Sequence, residues 1–110
     1  MDLSKVAQQI TIVSDAYAKK FGIRRDGNWY VLKLQEELGE LIQSYLMMTG
    51  KARQKDKTPA EITEDFHKEM ADVFCHILLL AQHYHVDLEK EVNEKWLIWK
   101  TWHFPLNPPV

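Results

Sequence analysis

Residues 33–42 read Lys-Leu-Gln-Glu-Glu-Leu-Gly-Glu-Leu-Ile, and the rest of the chain is organised around this stretch. Leu34, Leu38 and Leu41 follow the i, i+4, i+7 spacing that puts apolar side chains on one face of a helix. At about 100° per residue, Glu37 lies roughly 60° from Leu34, at the edge of that face. The stretch therefore predicts a helix that packs against a core and has partly buried carboxylates along its border.

The composition is that of a small globular domain. The chain has 110 residues, of which 45% are hydrophobic and 27% charged, and its net charge is −2. Acids and bases are interspersed, so no basic face indicates nucleic-acid binding, and no run reaches the roughly 18 apolar residues of a membrane span. The single cysteine, Cys75, cannot form an internal disulfide. We therefore expect a cytoplasmic protein that binds neither nucleic acid nor membrane.

The chain predicts four helices and no strand, because apolar residues recur with helical periods and sustained alternation is absent. Asn28 is expected to cap the second helix, and the stretch Thr-Pro-Ala-Glu at residues 58–61 is a capping box that starts the third. The predicted helices span residues 3–20, 29–48, 59–84 and 88–103. Short loops favour an all-α four-helix bundle in one domain, residues 1–103, and prolines indicate an extended tail, residues 104–110.

A second carboxylate edge matches the first when the sequence is shifted by 32 residues. Glu69 then falls on Glu37 and Asp72 on Glu40, and the apolar positions around them coincide as well. The small residues Gly39 and Ala71 also coincide, and small residues let helix backbones approach closely. If the two helices pack antiparallel through their apolar stripes, the acid edges come to lie opposite one another.

Such a group of acids needs a physical reason. Two carboxylates about 6 Å apart repel by roughly 3 kcal/mol at an effective dielectric constant near 20. Clustered carboxylates therefore either have raised pKa values or bind a cation, and hard divalent ions such as Mg²⁺ or Mn²⁺ prefer oxygen ligands. The alternative is that these are solvated surface acids, whose mutual repulsion costs only a few tenths of a kcal/mol.

The paired motif resembles the EExxE…ExxD signature of the MazG-like nucleoside triphosphate pyrophosphohydrolases. Glu-Glu-Leu-Gly-Glu at residues 36–40 is followed, after 28 residues, by Glu-Met-Ala-Asp at residues 69–72. That all-α family includes dimeric dUTPases, dCTP pyrophosphatases and phosphoribosyl-ATP pyrophosphohydrolases, and the resemblance covers about residues 29–100. It implies hydrolysis between the α and β phosphates of a nucleoside triphosphate. The Mg²⁺ ligands that it implies are Glu37, Glu40, Glu69 and Asp72, with Glu36 orienting the attacking water.

The resemblance also implies phosphate-binding residues on the fourth helix. Asn93 and Lys95 are similar to an asparagine and a lysine of many family members, but the arginines that often follow are missing, so Lys100 is the candidate replacement. Lys33 either contacts phosphate or relieves repulsion among the acids. Trp29 either stacks on a base or belongs to the core.

Other interpretations stay open or fit less well. A di-iron bundle needs two Glu-x-x-His motifs, and only Glu64 and His67 form one. No adjacent His-Asp pair, P-loop or Ser-His-Asp arrangement is evident, and His76 is either a ligand or a histidine at the edge of the core. The open alternatives are a phosphoribosyl-ATP pyrophosphohydrolase and a non-catalytic helical module whose acids bind a metal only structurally.

A chain of this size has little surface with which to close a pocket alone. We therefore expect a homodimer or homotetramer in which a neighbouring subunit helps to wall the site, as is usual in the family. Trp96, Trp99 and Trp102 are spaced for packing or for a subunit interface. House-cleaning of non-standard nucleotides and control of nucleotide pools are both compatible with such an enzyme.

Overall fold

The computed structural model describes residues 2–101, which form α-helices and one 3₁₀ turn without any strand. The elements are α1 (Leu3–Phe21), α2 (Gly27–Met48), α3 (Pro59–His83), α4 (Leu88–Lys95) and the 3₁₀ turn Leu97–Thr101. The all-α prediction is confirmed. The predicted tail, residues 104–110, lies outside the described residues, as do Trp102 and His103. None of the described helices is both long enough and apolar enough to cross a membrane.

Local signals in the sequence fix most of the helix ends. The Asp2 carboxylate accepts hydrogen bonds from the first turn of α1, and Gly22 ends that helix in the left-handed region at φ +62°. Thr58 and Glu61 form the predicted capping box of α3. The start of α2 differs from the prediction: Asp26 rather than Asn28 is the N-cap, because the Asp26 carboxylate accepts the Trp29 N–H at 2.8 Å.

The fourth helix is shorter than predicted. It ends at Lys95 instead of near His103, and the chain continues as the 3₁₀ turn. Three of the four residues at the break, Trp96, Ile98 and Trp99, are aromatic or β-branched and lose side-chain freedom in a helix. Helix α4 buries none of its side chains, so no packing energy offsets that loss.

Helices α2 and α3 form an antiparallel hairpin that is the centre of the fold. The Tyr30 ring near the start of α2 lies 4.7 Å from the His83 ring at the end of α3, and Tyr45 lies 6.3 Å from Phe66 at the other end. Helix α1 packs on α3, whereas α4 contacts mainly the 3₁₀ turn. The buried hydrophobic residues are Ala18, Tyr30, Met47, Ile62, Leu78, Leu79 and Ala81.

The α1–α2 loop is tied to α1 by Arg25. Its guanidinium donates hydrogen bonds to Ser14 Oγ at 2.6 Å and to Asp15 Oδ1 at 2.5 Å, and it lies over the Tyr30 ring. These contacts hold the start of α2 against α1, so the loop sets the angle at which α1 approaches the hairpin.

The expected close approach of backbones at Gly39 and Ala71 is wrong. Both residues are exposed, and a Cβ added at Gly39 would meet nothing within 4 Å. Both positions lie on the outer side of their helices, away from the contact between α2 and α3.

Candidate metal centre

Three glutamates from the α2–α3 hairpin converge on one point. Carboxylate oxygens of Glu37, Glu40 and Glu69 all lie within 4.8 Å of one another. Glu37 and Glu40 are one turn apart on α2, and Glu69 comes from the facing turn of α3. Glu37 is buried, Glu69 half-buried and Glu40 exposed, so the cluster has a closed floor and an open mouth. The structure therefore brings together three of the four residues predicted to bind a metal.

The fourth predicted ligand, Asp72, lies beside this cluster. It is exposed, one turn after Glu69, and outside the group of three whose oxygens meet. Its negative charge nevertheless raises the pKa of both Glu37 and Glu69. Asp72 is thus placed at the mouth of the cluster.

Burial and mutual repulsion perturb the acids at the floor. Removal from water raises the pKa of Glu37 to about 7, with further contributions from the charges of Glu40 and Asp72, while Lys33 acts in the opposite direction. The pKa of Glu69 is raised in the same way, first by burial and then by Glu40. Full ionisation of these carboxyl groups is therefore unfavourable unless a cation binds among them.

Two buried oxygens in the cluster lack a donor. Within the described residues, neither Glu37 Oε2 nor Glu69 Oε2 accepts a hydrogen bond. A buried acceptor left without a partner costs about 1–3 kcal/mol. Oxygens around one Mg²⁺ are up to about 4.2 Å apart, so a small rotation of the carboxylates would bring this set into coordination distance. The donor set and its two unpartnered oxygens fit a hard divalent ion.

Two other predicted residues flank the cluster. Lys33 Nζ lies 3.3 Å from Glu36 Oε1 and 3.8 Å from Glu37 Oε1, so it relieves repulsion on the acid edge. Glu36 is exposed and turned to Lys33, outside the three-glutamate group. Its predicted role in orienting water stays a prediction.

A cleft of about 480 Å³ opens beside the cluster, between α1, α2 and α3. Trp29, Lys33, Glu37 and His76 line one side of it. The opposite wall comes from α1, a helix with no predicted site residue. The α1 residues that line it are Gln9, Ile10, Val13, Ser14 and Tyr17. The sequence could not indicate this role of α1, because its helical stripe of apolar residues is typical of a helix that packs in a core.

His76 lies at the edge of the core, in agreement with one of the two predicted alternatives. Its Nε2 is 3.8 Å from Glu37 Oε1, and its ring is 6.3 Å from the Trp29 ring. Burial, followed by the charge of Lys33, lowers its pKa, so the imidazole is neutral near pH 7. Burial raises the pKa of the neighbouring Cys75 thiol, which argues against a thiolate nucleophile in the cleft.

The predicted phosphate-binding residues of the C-terminal part are not at the cluster. Asn93 and Lys95 are exposed on α4, and Lys100 is exposed in the 3₁₀ turn. Helix α4 does not pack along α2 or α3, so no helix packing within the described residues directs these side chains to the acids. Their roles stay predictions.

Comparison with known proteins adds no relative: no protein-family model, curated protein or solved structure matches the chain. The structure itself shows an all-α chain with three clustered glutamates that could hold a metal ion, and a cleft beside them.

Proposed function

We propose that the protein is a Mg²⁺-dependent nucleoside triphosphate pyrophosphohydrolase of the MazG-like type. It would convert a ribo- or deoxyribonucleoside triphosphate and water into the monophosphate and pyrophosphate. The observation that carries the proposal is the meeting of Glu37, Glu40 and Glu69 on two antiparallel helices, with two buried oxygens left without a donor. The matching motif at residues 36–40 and 69–72 adds the resemblance to that family.

In this proposal the acids hold the ion and the neighbouring residues prepare the reaction. Glu37, Glu40 and Glu69 are the inner ligands, and Asp72 completes the set at the mouth. When bound, Mg²⁺ supplies charge neutralisation for the triphosphate and a polarised water, and Mn²⁺ can replace it. The Glu36 carboxylate, which is accessible to solvent, accepts a hydrogen bond from the attacking water and orients it.

The cleft is the proposed place for the nucleoside. It adjoins the cluster because Glu37 belongs to both, so a triphosphate at the acids would leave its base in the cleft. Trp29 is half-buried on the cleft wall, where its ring can stack on a base. Lys33 would then balance charge at the junction between phosphates and nucleoside.

We also propose that the protein is a homodimer or homotetramer. Among the described residues, twenty large hydrophobic side chains are exposed, whereas seven hydrophobic residues are buried. A single copy thus leaves an unusual amount of surface for a partner.

The test is release of pyrophosphate and monophosphate from a panel of nucleoside triphosphates, with phosphoribosyl-ATP included, in Mg²⁺ and in Mn²⁺. We expect turnover of at least one nucleotide, and a loss of more than about 100-fold in Glu40→Gln. Glu64→Gln is the matched control, because Glu64 is an exposed acid on α3 whose only ion pair within the described residues is with Lys68. Its activity should equal that of the wild type.

Absence of turnover with every nucleotide and both metals would overturn the enzyme proposal. If Mg²⁺ still bound to the wild type and not to Glu40→Gln, the acids would be a structural metal site in a helical interaction module. Turnover of phosphoribosyl-ATP alone would identify the protein as a phosphoribosyl-ATP pyrophosphohydrolase.

A further inference from the structure

The two oxygens of the Glu37 carboxylate have different surroundings. Oε1 lies 3.8 Å from Lys33 Nζ and 3.8 Å from His76 Nε2. Oε2 is buried and accepts no hydrogen bond within the described residues. One oxygen thus faces two nitrogen groups that can hold the carboxylate in place, and the other is left for a ligand. This asymmetry makes the two nitrogen groups candidates for residues that position Glu37.

Helical spacing brings His76 to this place. It follows Glu69 by seven residues on α3, which is close to two turns, so both side chains lie on one face of that helix. Because α2 runs antiparallel to α3, the residue two turns after Glu69 meets the part of α2 that precedes Glu40. That part contains Lys33 and Glu37. His76 therefore approaches the cluster at its buried end.

His76 is placed to contact one carboxylate and not the whole set. In the part of the chain that the structure describes, neither of its nitrogens joins the group of oxygens that lie within 4.8 Å of one another. Its contact with the cluster is the one with Glu37 Oε1. A histidine in such a position orients a metal ligand without being one, and loss of an orienting contact commonly lowers metal affinity by about 10- to 100-fold.

Packing restricts the imidazole ring of His76. The side chain is 17% exposed, and its ring lies 6.3 Å from the Trp29 ring on the cleft wall. Trp29, Lys33 and Glu37 follow one another at four-residue intervals on α2, so the ring lies between the tryptophan and the carboxylate. Burial in this position limits rotation of the ring, as an orienting contact requires.

An ordinary core histidine does not account for these contacts. His76 Nδ1 is buried and has no hydrogen-bond partner among the described residues, which destabilises the folded chain. We assign the proton of the neutral ring to Nε2, because a bare Nε2 lone pair would face the Glu37 carboxylate. The separation of 3.8 Å is longer than a hydrogen bond, but contacts of this kind in active sites often tighten only in the complex with substrate.

We propose that His76 is a positioning residue of the metal centre, whose Nε2–H holds Glu37 Oε1 and leaves Oε2 directed to a divalent cation. The inference rests on the proposed metal centre, but not on hydrolysis of a nucleotide. It explains why a histidine with an unpartnered buried nitrogen lies beside the most buried acid of the cluster. Lys33 and His76 then act together on the same oxygen.

The test is binding of Mn²⁺ alone to the full chain, by isothermal titration calorimetry without nucleotide. The wild type should bind Mn²⁺, and His76→Leu should bind it about 10- to 100-fold more weakly. His76→Gln should stay within about threefold of the wild type and His76→Asn should not, because a glutamine amide reaches the position of Nε2 and an asparagine amide only that of Nδ1. His67→Leu, at an exposed histidine on the same helix, is the matched control and should bind as the wild type does.

Urea unfolding in the presence of a chelator separates positioning from folding. His76→Leu should be at least as stable as the wild type there, because it removes a buried nitrogen that has no partner among the described residues. A marked loss of stability in both His76→Leu and His76→Gln would make His76 a structural residue and overturn the proposal.

The Mn²⁺ titrations have three further outcomes that decide the matter. Equal affinity in the wild type and His76→Leu, or weak binding that His76→Gln does not restore, would overturn the positioning role. A wild type that binds no Mn²⁺ would overturn that role together with the metal centre. Binding that depends on His76 in a protein that turns over no nucleotide would support the positioning role and refute the enzyme alone.

Discussion

The side chain of Glu37 packs in the interior while its charge faces the carboxylates of Glu40 and Asp72. Its pKa of about 7 in the folded chain is above the ordinary value of 4.5. Below pH 4.5 the carboxyl is protonated in both states. Between pH 4.5 and about 7, Glu37 is ionised in the unfolded chain but still protonated in the folded chain. The free energy of unfolding therefore falls as the pH rises through this range to about 7.

This predicts that, in the presence of a chelator, the wild type becomes less stable between about pH 4.5 and 7 relative to Glu37→Gln. The variant keeps the shape of the protonated acid and has no charge to accommodate. Urea unfolding midpoints at pH 5, 6, 7 and 8 measure the difference, and Glu64→Gln controls for the loss of an exposed acid. A wild-type-to-variant difference that is constant with pH would contradict the raised pKa.

The sequence predicts much of this centre because the acids repeat at one angular offset on two helices. Glu37, Glu40 and Glu69 can be paired from the sequence alone, since helical periodicity places them on facing edges. The α1 wall of the cleft could not be predicted, because Val13 and Tyr17 follow the same helical stripe as core residues. Only the tertiary arrangement shows that this stripe faces a cleft.

At the scale of single elements, the capping box of α3 is the clearest link between sequence and stability. Thr58 Oγ1 accepts the Glu61 N–H, and the Glu61 carboxylate accepts the Thr58 N–H at 2.9 Å. We predict that Thr58→Ala lowers the free energy of unfolding by about 1 kcal/mol, because one helix-end N–H loses its acceptor. Urea unfolding measures it, with Thr63→Ala, at an exposed position within α3, as the control. An equal loss in both variants would show that the cap contributes nothing specific.

Gly39 offers the opposite case, a helix position at which the natural residue is destabilising. It lies in the middle of α2, it is exposed, and a Cβ would meet open space. Gly39→Ala should therefore raise the free energy of unfolding by about 0.5–1 kcal/mol through reduced backbone freedom in the unfolded chain.

The matched contrast for Gly39→Ala is Gly22→Ala, at φ +62°, which should be destabilising. Thermal unfolding of both variants checks the pair. A loss of stability in Gly39→Ala would mean that the backbone there is needed for close packing, as the sequence alone suggested.

Helix α4 shows where prediction from periodicity fails. The spacing of Val92, Trp96 and Trp99 is helical, yet the α-helix stops at Lys95. An apolar stripe stabilises a helix only when another surface buries it, and α4 has no buried side chain in the part of the chain that the structure describes. Periodicity states which face would be buried, but the presence of a surface to bury it depends on the whole fold.

In one copy, the described part of the molecule exposes more large apolar side chains than it buries. Seven hydrophobic residues are buried among the residues described, whereas twenty large hydrophobic side chains are exposed. If the proposed self-association covers part of this apolar surface, folding and association are linked, and the stability of the protein depends on its concentration.

We therefore predict that the thermal midpoint rises with protein concentration. For a dimer that unfolds to separate chains, each tenfold dilution lowers the free energy of unfolding by about 1.4 kcal/mol per dimer. The reason is that dilution favours two separate chains over one dimer. Circular dichroism melts at total concentrations from about 1 to 100 µM should show a monotonic shift. A wild-type midpoint independent of concentration would mean that the three helices around the small core hold the fold without a partner.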